Sequence, residues 1–356
     1  MESKIRFNRR RFIGTGLAGI AGIAAVHNAS AVTNGQDPFI PAQTGRDMPF
    51  NPRTFAAMPT RSLGKTGYKV GIFSLGGQAA LETSGMEELS EKIINRAIDL
   101  GINYIDTAAA YGDGLSHENI GRVLKSRRSE VFLASKTHDR TYDGSMKLLE
   151  ESLKKLQTDH LDTWQLHNIR TQDEVDQIFA DNGAIKALEK ARTEGMVRYL
   201  GITGHYEPVV LKNAIDRYPF DSILMAVNGA DIHYLSFIRY LLPEALKKGM
   251  AIIGMKVATR GRMLSCWTPP PPEQQPERLR TSLRGTLSIK EALQYNMSLP
   301  VSTTIIGVDN VEQIEENVRL ASEFSPLSES EMETIEFKTL PIVRQGLYFR
   351  RWDMGV

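Results

Sequence analysis

Residues 101–114, GINYIDTAAAYGDG, decide the fold. Ile102, Tyr104 and Ile105 make a short apolar run, Asp106 closes it, and Tyr111 follows in a loop flanked by glycine. A strand that is apolar on both faces belongs in a parallel sheet covered by helices, where chemistry gathers at the carboxyl ends of the strands. Two later runs repeat the design: VFLASK ends at Lys136 and LDTWQLH at His167. Three successive strands closed by polar residues converge on one mouth, which brings Asp106, Tyr111, Lys136 and His167 together.

That set reads as a proton donor with groups that tune it. A free phenol, with a pKa near 10, is a weak acid at neutral pH, and a neighbouring ammonium is expected to pull it down. Lys136 supplies the charge, Asp106 beside it keeps the lysine protonated, and His167 hydrogen-bonds the carbonyl oxygen that Tyr111 protonates.

Outward from this centre, strand-like and helix-like patterns alternate about every 30 residues, the period of βα units. Strands are expected at 70–75, 102–106, 131–136, 161–166, 198–203, 222–227, 250–255 and 302–306. Helices are expected at 87–99, 116–126, 144–156, 183–194, 207–216, 235–248, 287–297 and 310–321. Eight such pairs predict an α/β fold, an eight-stranded parallel (β/α)8 TIM barrel. A chain of 356 residues that is 41% apolar holds one such barrel with a leader and insertions.

The formal charge of +1 conceals an asymmetry. Residues 1–31 carry Lys4, Arg6, Arg9, Arg10 and Arg11 against Glu2, a net of +4, which leaves −3 for the remainder. A mildly acidic body without a basic stripe gives no reason to expect nucleic-acid binding. Cys266 is the only cysteine, which excludes disulfides within the chain and a cysteine-ligated iron–sulfur cluster. No metal site is expected.

NRRRFIG at 8–14 precedes a weakly apolar stretch from Phe12 to Val26, and ASA at 29–31 offers small residues for cleavage. This resembles a twin-arginine export signal, with Arg9 and Arg10 as the pair, although Asn8 stands where serine or threonine is usual. The stretch is interrupted by Gly14, Gly16, Gly19 and Gly22 and falls short of the ~20 residues that span a bilayer, so no stable span is expected in the mature form. The resulting organisation is a signal over 1–31, a Pro-, Asn- and Gly-rich linker over 32–58, and a barrel with a C-terminal tail over 59–356.

From about Thr60 to Ala321 the chain resembles the aldo-keto reductases. RSLGKTGYKVGIFSLGG looks like that family's opening hairpin and first strand, and GINYIDTAAAYGDGLSHENIGRVL contains its aspartate and tyrosine. LASK, LDTWQLHN, GMVRYLGITGH and IIGVDNVEQIEENVRLA match later motifs in order. The resemblance implies hydride transfer between a nicotinamide cofactor, NADP or NAD, and a carbonyl or alcohol. Tyr111 is then the general acid, Lys136 and Asp106 tune it, and His167 orients the substrate.

For the cofactor, the resemblance points to Thr203, Asn228, Lys256 on the pyrophosphate with Arg262 assisting, Gly307 at the phosphate, and Glu316 and Asn317 at the adenine. Gly204 and Leu224 depart from the family, standing where an asparagine and a glutamine commonly hold the nicotinamide amide. Asp309 falls where members preferring NADP often carry arginine, and a carboxylate there suits a free ribose hydroxyl.

Other expectations are weaker in their pattern. His117 reads as a residue of a solvated turn. The proline-rich interval 265–285 reads either as a cover over the cofactor or as a surface insertion. The tail QGLYFRRWDMGV either folds over the mouth, where its aromatic and arginine side chains would suit a sugar or an anionic carbonyl compound, or packs on the side of the barrel. A signal of this kind implies an exported enzyme, periplasmic or equivalent, whose partners are the twin-arginine machinery and a small carbonyl or alcohol substrate such as a sugar derivative. The alternative is a non-catalytic nucleotide-binding, redox-sensing barrel.

Overall fold

A computed structural model describes residues 46–352 except 276, 278 and 279. The signal at 1–31 and the linker up to residue 45 lie outside the described residues. Two short strands, β1 (Thr60–Ser62) and β2 (Lys69–Gly71), pair antiparallel. Eight more close a parallel barrel: β3 (Phe73–Gly76), β4 (Tyr104–Asp106), β5 (Phe132–Thr137), β6 (Leu161–Leu166), β7 (Val197–Gly204), β8 (Ser222–Ala226), β9 (Ala251–Met255) and β10 (Thr303–Ile306), with β10 sealing against β3. Every residue of β5, β6 and β7 is buried, as strands packed inside and outside must be. Among the described residues, no helix is long and apolar enough to cross a membrane.

The first expected strand, 70–75, divides in two. Val70 and Gly71 face Arg61 and Thr60 in the hairpin, and the chain joins the barrel only at Phe73, opposite Thr304. The hairpin covers the amino-terminal end of the barrel, where the Tyr199 hydroxyl donates to the Thr66 carbonyl at 2.9 Å and the Tyr68 hydroxyl to that of Asn103 at 3.0 Å. Gly64 has φ +55, and a Cβ there would stand 2.3 Å from the amide nitrogen of Ala251, so only glycine lets the hairpin lie this close.

The expected helix 235–248 breaks into Phe237–Tyr240 and Leu242–Lys247, because Pro243 has no N–H to continue it. Helices at Gln172–Ile178 and Glu329–Thr339 were not anticipated, although each opens with a capping box, Thr171 with Glu174 and Ser328 with Glu331. The described end of the linker packs on the barrel. Asn51 and Thr54 are buried, and their side chains donate to the carbonyls of Ile98, Ile102 and Gly101.

Candidate active site

Asp106 ends β4 opposite Ala134, two residues before Lys136 on β5, so both side chains project into the barrel. Lys136 Nζ donates to Asp106 Oδ1 at 2.5 Å and to the Thr107 carbonyl at 2.5 Å, with both side chains 1% exposed. Burial disfavours each charge and their mutual attraction favours both. Tyr111 opens a 3-10 turn just past β4, which presses against the segment Ala79–Glu82; a Cβ on Gly112 would meet the Glu82 carbonyl at 2.3 Å. Lys136 Nζ stands 5.0 Å from the centroid of the Tyr111 ring, and the His167 imidazole meets that ring edge-on at 5.7 Å. The four residues therefore do come together at the carboxyl ends of β4, β5 and β6.

Their electrostatics differ from expectation at one point. The Tyr111 phenol is pushed well above its ordinary value, first by burial and then by the carboxylates of Asp106 and Glu82. The ammonium of Lys136 is committed to Asp106 and Thr107 and lies over the ring, so it does not offset that burial. Tyr111 is thus held as a protonated donor throughout the neutral range. His167 is kept neutral by burial, reinforced by the positive charges of Lys136, His138, Arg140 and Lys256. A neutral imidazole has one N–H to give a substrate oxygen.

His117 is buried in the helix Leu115–Arg127, not on a turn. Its Nε2 contacts Ser135 Oγ at 2.8 Å, and burial lowers its pKa to about 3. His205 is likewise depressed by burial, then by Lys256 and Arg350. For a histidine with a folded pKa below its unfolded value near 6.5, the unfolded chain takes up protons first as the pH drops, so stability is lost as pH falls below about 6.5. With His117, His167 and His205 all shifted this way, the unfolding midpoint is expected to fall steadily from pH 7 to pH 5, each histidine contributing up to about 1.4 kcal/mol per pH unit. Thermal unfolding followed across that range, with His117→Gln as a second sample, tests this: the variant should have a shallower slope, and a flat profile in the parent chain would refute it.

A cavity of about 660 Å³ runs from Tyr111 and Asp106 across the carboxyl ends of β3, β9 and β10 to Asp309, Gln313, Glu316 and Asn317. Its size and its position over strand ends suit a dinucleotide. Lys256 follows β9 in a left-handed conformation, φ +62, which turns it into this cavity; burial lowers its pKa to about 8. An anion beside it would relieve that burial, so Lys256 fits a phosphate. Gly307 lets backbone approach backbone, since a Cβ there would lie 2.8 Å from the Gln78 carbonyl. Asn317 is buried in the wall, while Glu316 and Asp309 stand exposed at the far end. Gln78, Glu82 and Arg260 complete the middle, with Arg260 3.5 Å from Glu82 across it. Those three were missed in the sequence, where only the glycine pair before Gln78 hints at a strand end. Of the proline-rich interval, Cys266 and Trp267 line the cavity.

Two assigned cofactor contacts lie elsewhere. Asn228 is buried outside the cavity lining, and its amide donates to the Lys256 carbonyl at 3.0 Å while its carbonyl accepts from the Ala230 N–H at 2.9 Å. It ties the ends of β8 and β9 together. Thr203 Oγ1 accepts the Asn168 N–H at 2.7 Å, which fixes the loop that carries His167. A side chain at Gly204 would be crowded, because its Cβ would stand 2.9 Å from Leu211 Cδ1 and 3.0 Å from the Ile169 carbonyl, and both would have to shift.

The tail lies over the catalytic rim. Arg350 donates to the carbonyls of His205 and Ala226, just past β7 and at the end of β8, and pairs with buried Asp231. Phe349 meets the His205 ring at 5.3 Å, and Arg351 pairs with Glu207 at 3.1 Å. Both arginines are thereby engaged within the protein, so the aromatic groups, not the guanidinium charges, are what the tail brings to the mouth. Arg262 contributes its guanidinium to a stack with Trp267 and Tyr348, 5.1 and 5.6 Å from their ring centroids.

A family model described as the aldo/keto reductase family matches residues 69–339. An uncharacterized oxidoreductase of Bacillus subtilis, YqkF, is 27% identical over 324 residues, covering 82% of this chain and 98% of its own. L-galactose dehydrogenase of Arabidopsis thaliana is 30% identical over 291 residues, covering 75% and 89%. The holo form of an aldo-keto reductase from Bacillus halodurans superposes with a TM-score of 0.65 at 27% identity, over 79% of this chain and 96% of that one.

Proposed function

Because the chain belongs to the aldo/keto reductase family, an oxidoreductase family, we propose that it interconverts a carbonyl and an alcohol, with Tyr111 as the general acid in reduction and the base in the reverse direction. The observation that carries this reading is the contact of a protonated Tyr111 with a neutral His167 beside the Lys136–Asp106 pair, with Tyr111 and Asp106 lining one end of a dinucleotide-sized cavity. Nicotinamide nucleotide, NADP or NAD, would supply or accept the hydride when bound there. Lys256, Gly307 and Asn317 would hold it, with Glu316 and Asp309 at its adenosine end. His167 donates to the substrate oxygen and fixes its direction; Tyr111 then delivers the proton. Incubating the protein with aldehydes and aldoses and following nucleotide absorbance tests the activity.

A sugar derivative is the substrate class proposed first, in keeping with the aromatic tail and with the name of the plant relative. We also propose export by the twin-arginine route, motivated by NRRRFIG and the small residues at 29–31. Replacing Arg9 and Arg10 together by Lys keeps the charge but removes the guanidinium pair, and is expected to hold the protein in the cytoplasm. Fractionation that still finds mature protein outside, starting near Val32, would point to another route.

Asp309 sets the expected nucleotide preference. It is exposed at the cavity's end beside Glu316, and a 2′-phosphate would bring roughly two more negative charges there. Asp309→Arg is expected to raise the ratio of NADP to NAD affinity at least tenfold, about 1.4 kcal/mol. Titrating both nucleotides into both proteins decides it. An unchanged ratio would remove Asp309 from the ribose, and Arg319 would not replace it, being paired with Glu323 at 2.9 Å and absent from the cavity wall.

A further inference from the structure

His167 lies one residue beyond β6, so the strand alone does not fix the direction of its ring. The residue after it, Asn168, takes a left-handed conformation, φ +53. Asparagine visits that region more readily than most side chains, but the surroundings still have to select it. Here both ends of the peptide unit joining the two residues are held. The Asn168 N–H donates to Thr203 Oγ1 on β7 at 2.7 Å, and the His167 carbonyl accepts from Arg140 Nη2 at 2.9 Å. The His167 N–H donates to the Thr137 carbonyl at 2.8 Å, which ties the same residue back to β5.

Arg140 stands four residues past Lys136, in the loop that follows β5. Its Nη2 also pairs with Glu174 Oε1 at 3.1 Å and lies 3.4 Å from the Asn168 carbonyl. The other oxygen of Glu174 accepts the N–H groups of Arg170 and Thr171 at 2.6 and 3.2 Å, where the helix Gln172–Ile178 begins. One guanidinium therefore joins the loop after β5, the loop after β6 and the start of a helix. Its side chain is 11% exposed, and Nε and Nη1 are buried without a hydrogen bond in the protein. A buried guanidinium with part of its donor fork unmet is a poor way to stabilise a fold, since a packed apolar side chain often does as well. What an apolar side chain cannot supply is a fixed donor to the His167 carbonyl.

We infer that Arg140 is a positioning residue for the proposed reduction: braced by Glu174, it holds the His167–Asn168 peptide and so sets the direction from which His167 meets Tyr111 and the substrate oxygen. This inference rests on the reductase reading for its consequence, and on the hydrogen bonds alone for its geometry. Arg140 is outside the lining of the dinucleotide-sized cavity, so its effect passes through His167 and not through the nucleotide. Its charge works in the same sense, because burial keeps His167 neutral and Arg140 is one of the cations that reinforce this.

Crystal structures of the parent and of Arg140→Met test the geometry without any assay. The parent should keep the edge-on contact of His167 with Tyr111 at 5.7 Å, and the variant should displace the imidazole by roughly 1 Å or turn the peptide after it. An imidazole and peptide left in place would overturn the inference whether or not the protein is a reductase. Kinetics test the consequence. Arg140→Met should lower kcat for carbonyl reduction by about tenfold or more, with nucleotide affinity unchanged. Arg140→Lys, whose ammonium can still reach the carbonyl and Glu174, should recover part of the loss. Glu174→Gln keeps a capping acceptor, removes the charge that braces the guanidinium, and serves if the methionine variant folds poorly; it should lower kcat by less. A kcat within about twofold of the parent in both Arg140→Met and Glu174→Gln, or a parallel loss of nucleotide affinity, would mean that Arg140 only supports the fold. A parent that reduces no carbonyl while its variant shows the displaced imidazole would sink the reductase reading and leave the positioning intact.

Discussion

Tyr111→Phe is expected to lower carbonyl reduction by at least ~10²-fold, the contribution of a positioned general acid, with nucleotide affinity unchanged. The substitution removes one oxygen and keeps the ring, so the contacts with Lys136 Nζ at 5.0 Å and with the His167 ring at 5.7 Å persist. In the proposed mechanism the phenol is the donor. His167 is held neutral, with orientation of the substrate oxygen as its proposed part, and Lys136 is committed to Asp106 and Thr107. Steady-state kinetics beside a nucleotide titration separates the two effects. Turnover within a few-fold of the parent would remove Tyr111 from the proton step, and a non-catalytic nucleotide-binding barrel would then regain ground.

The convergence of Asp106, Tyr111, Lys136 and His167 was legible because its logic is local. Each of Asp106, Lys136 and His167 closes or just follows a strand whose apolar run is visible, and a parallel barrel converges strand ends whatever the loops do. Tyr111 lies five residues past Asp106, so it could not stray far. The pKa of that tyrosine was misread for a physical reason: residue types announce the charge of Lys136 but not how deeply the phenol is buried or where the ammonium points. Burial proved the larger influence.

The cofactor side was harder to read, because a match of residue type at a strand end does not reveal what the side chain is already doing. Asn228 is a suitable amide in a suitable place, yet it is used to join β8 to β9 and the tail. Thr203 likewise serves the His167 loop. By contrast, Gln78 and Arg260 line the cavity without any motif to mark them. His117 was misplaced because a histidine among polar neighbours looks solvated in a string of letters; only the packing of its helix on β5 buries it.

The tail shows the same limit most sharply, and its removal from the rim should be costly. Arg350 and Asp231 are an ion pair with both side chains 0% exposed. Asp231 also accepts from Ser236 Oγ at 2.7 Å and from the backbone N–H groups of Ile238 and Phe237 at 2.9 and 3.1 Å, while the guanidinium lies 3.9 Å from the Phe237 ring centroid. Burial lowers the pKa of Arg350 to about 10, still well above neutrality, so the guanidinium keeps its charge; burial pushes the Asp231 carboxyl up, and Arg350 with the Ile238 and Phe237 N–H groups and the Ser236 hydroxyl counters that push. Taking one partner away leaves a buried charge without its counterion, which costs about 3–5 kcal/mol. Arg350→Met is therefore expected to lower the unfolding midpoint by roughly 10 °C. Adding Asp231→Asn should recover most of that loss, since no buried charge then remains. The partly exposed pair of Arg351 with Glu207 should contribute under about 1 kcal/mol, so Arg351→Gln is the control. Calorimetry on the three proteins measures these differences, and an Arg350→Met midpoint within a degree or two of the parent would show that Asp231 is satisfied without the tail. If the tail forms a wall of the substrate mouth as well as a lock, the doubly substituted protein should stay folded yet show a raised KM, because Phe349 will have lost the neighbour that holds it against His205.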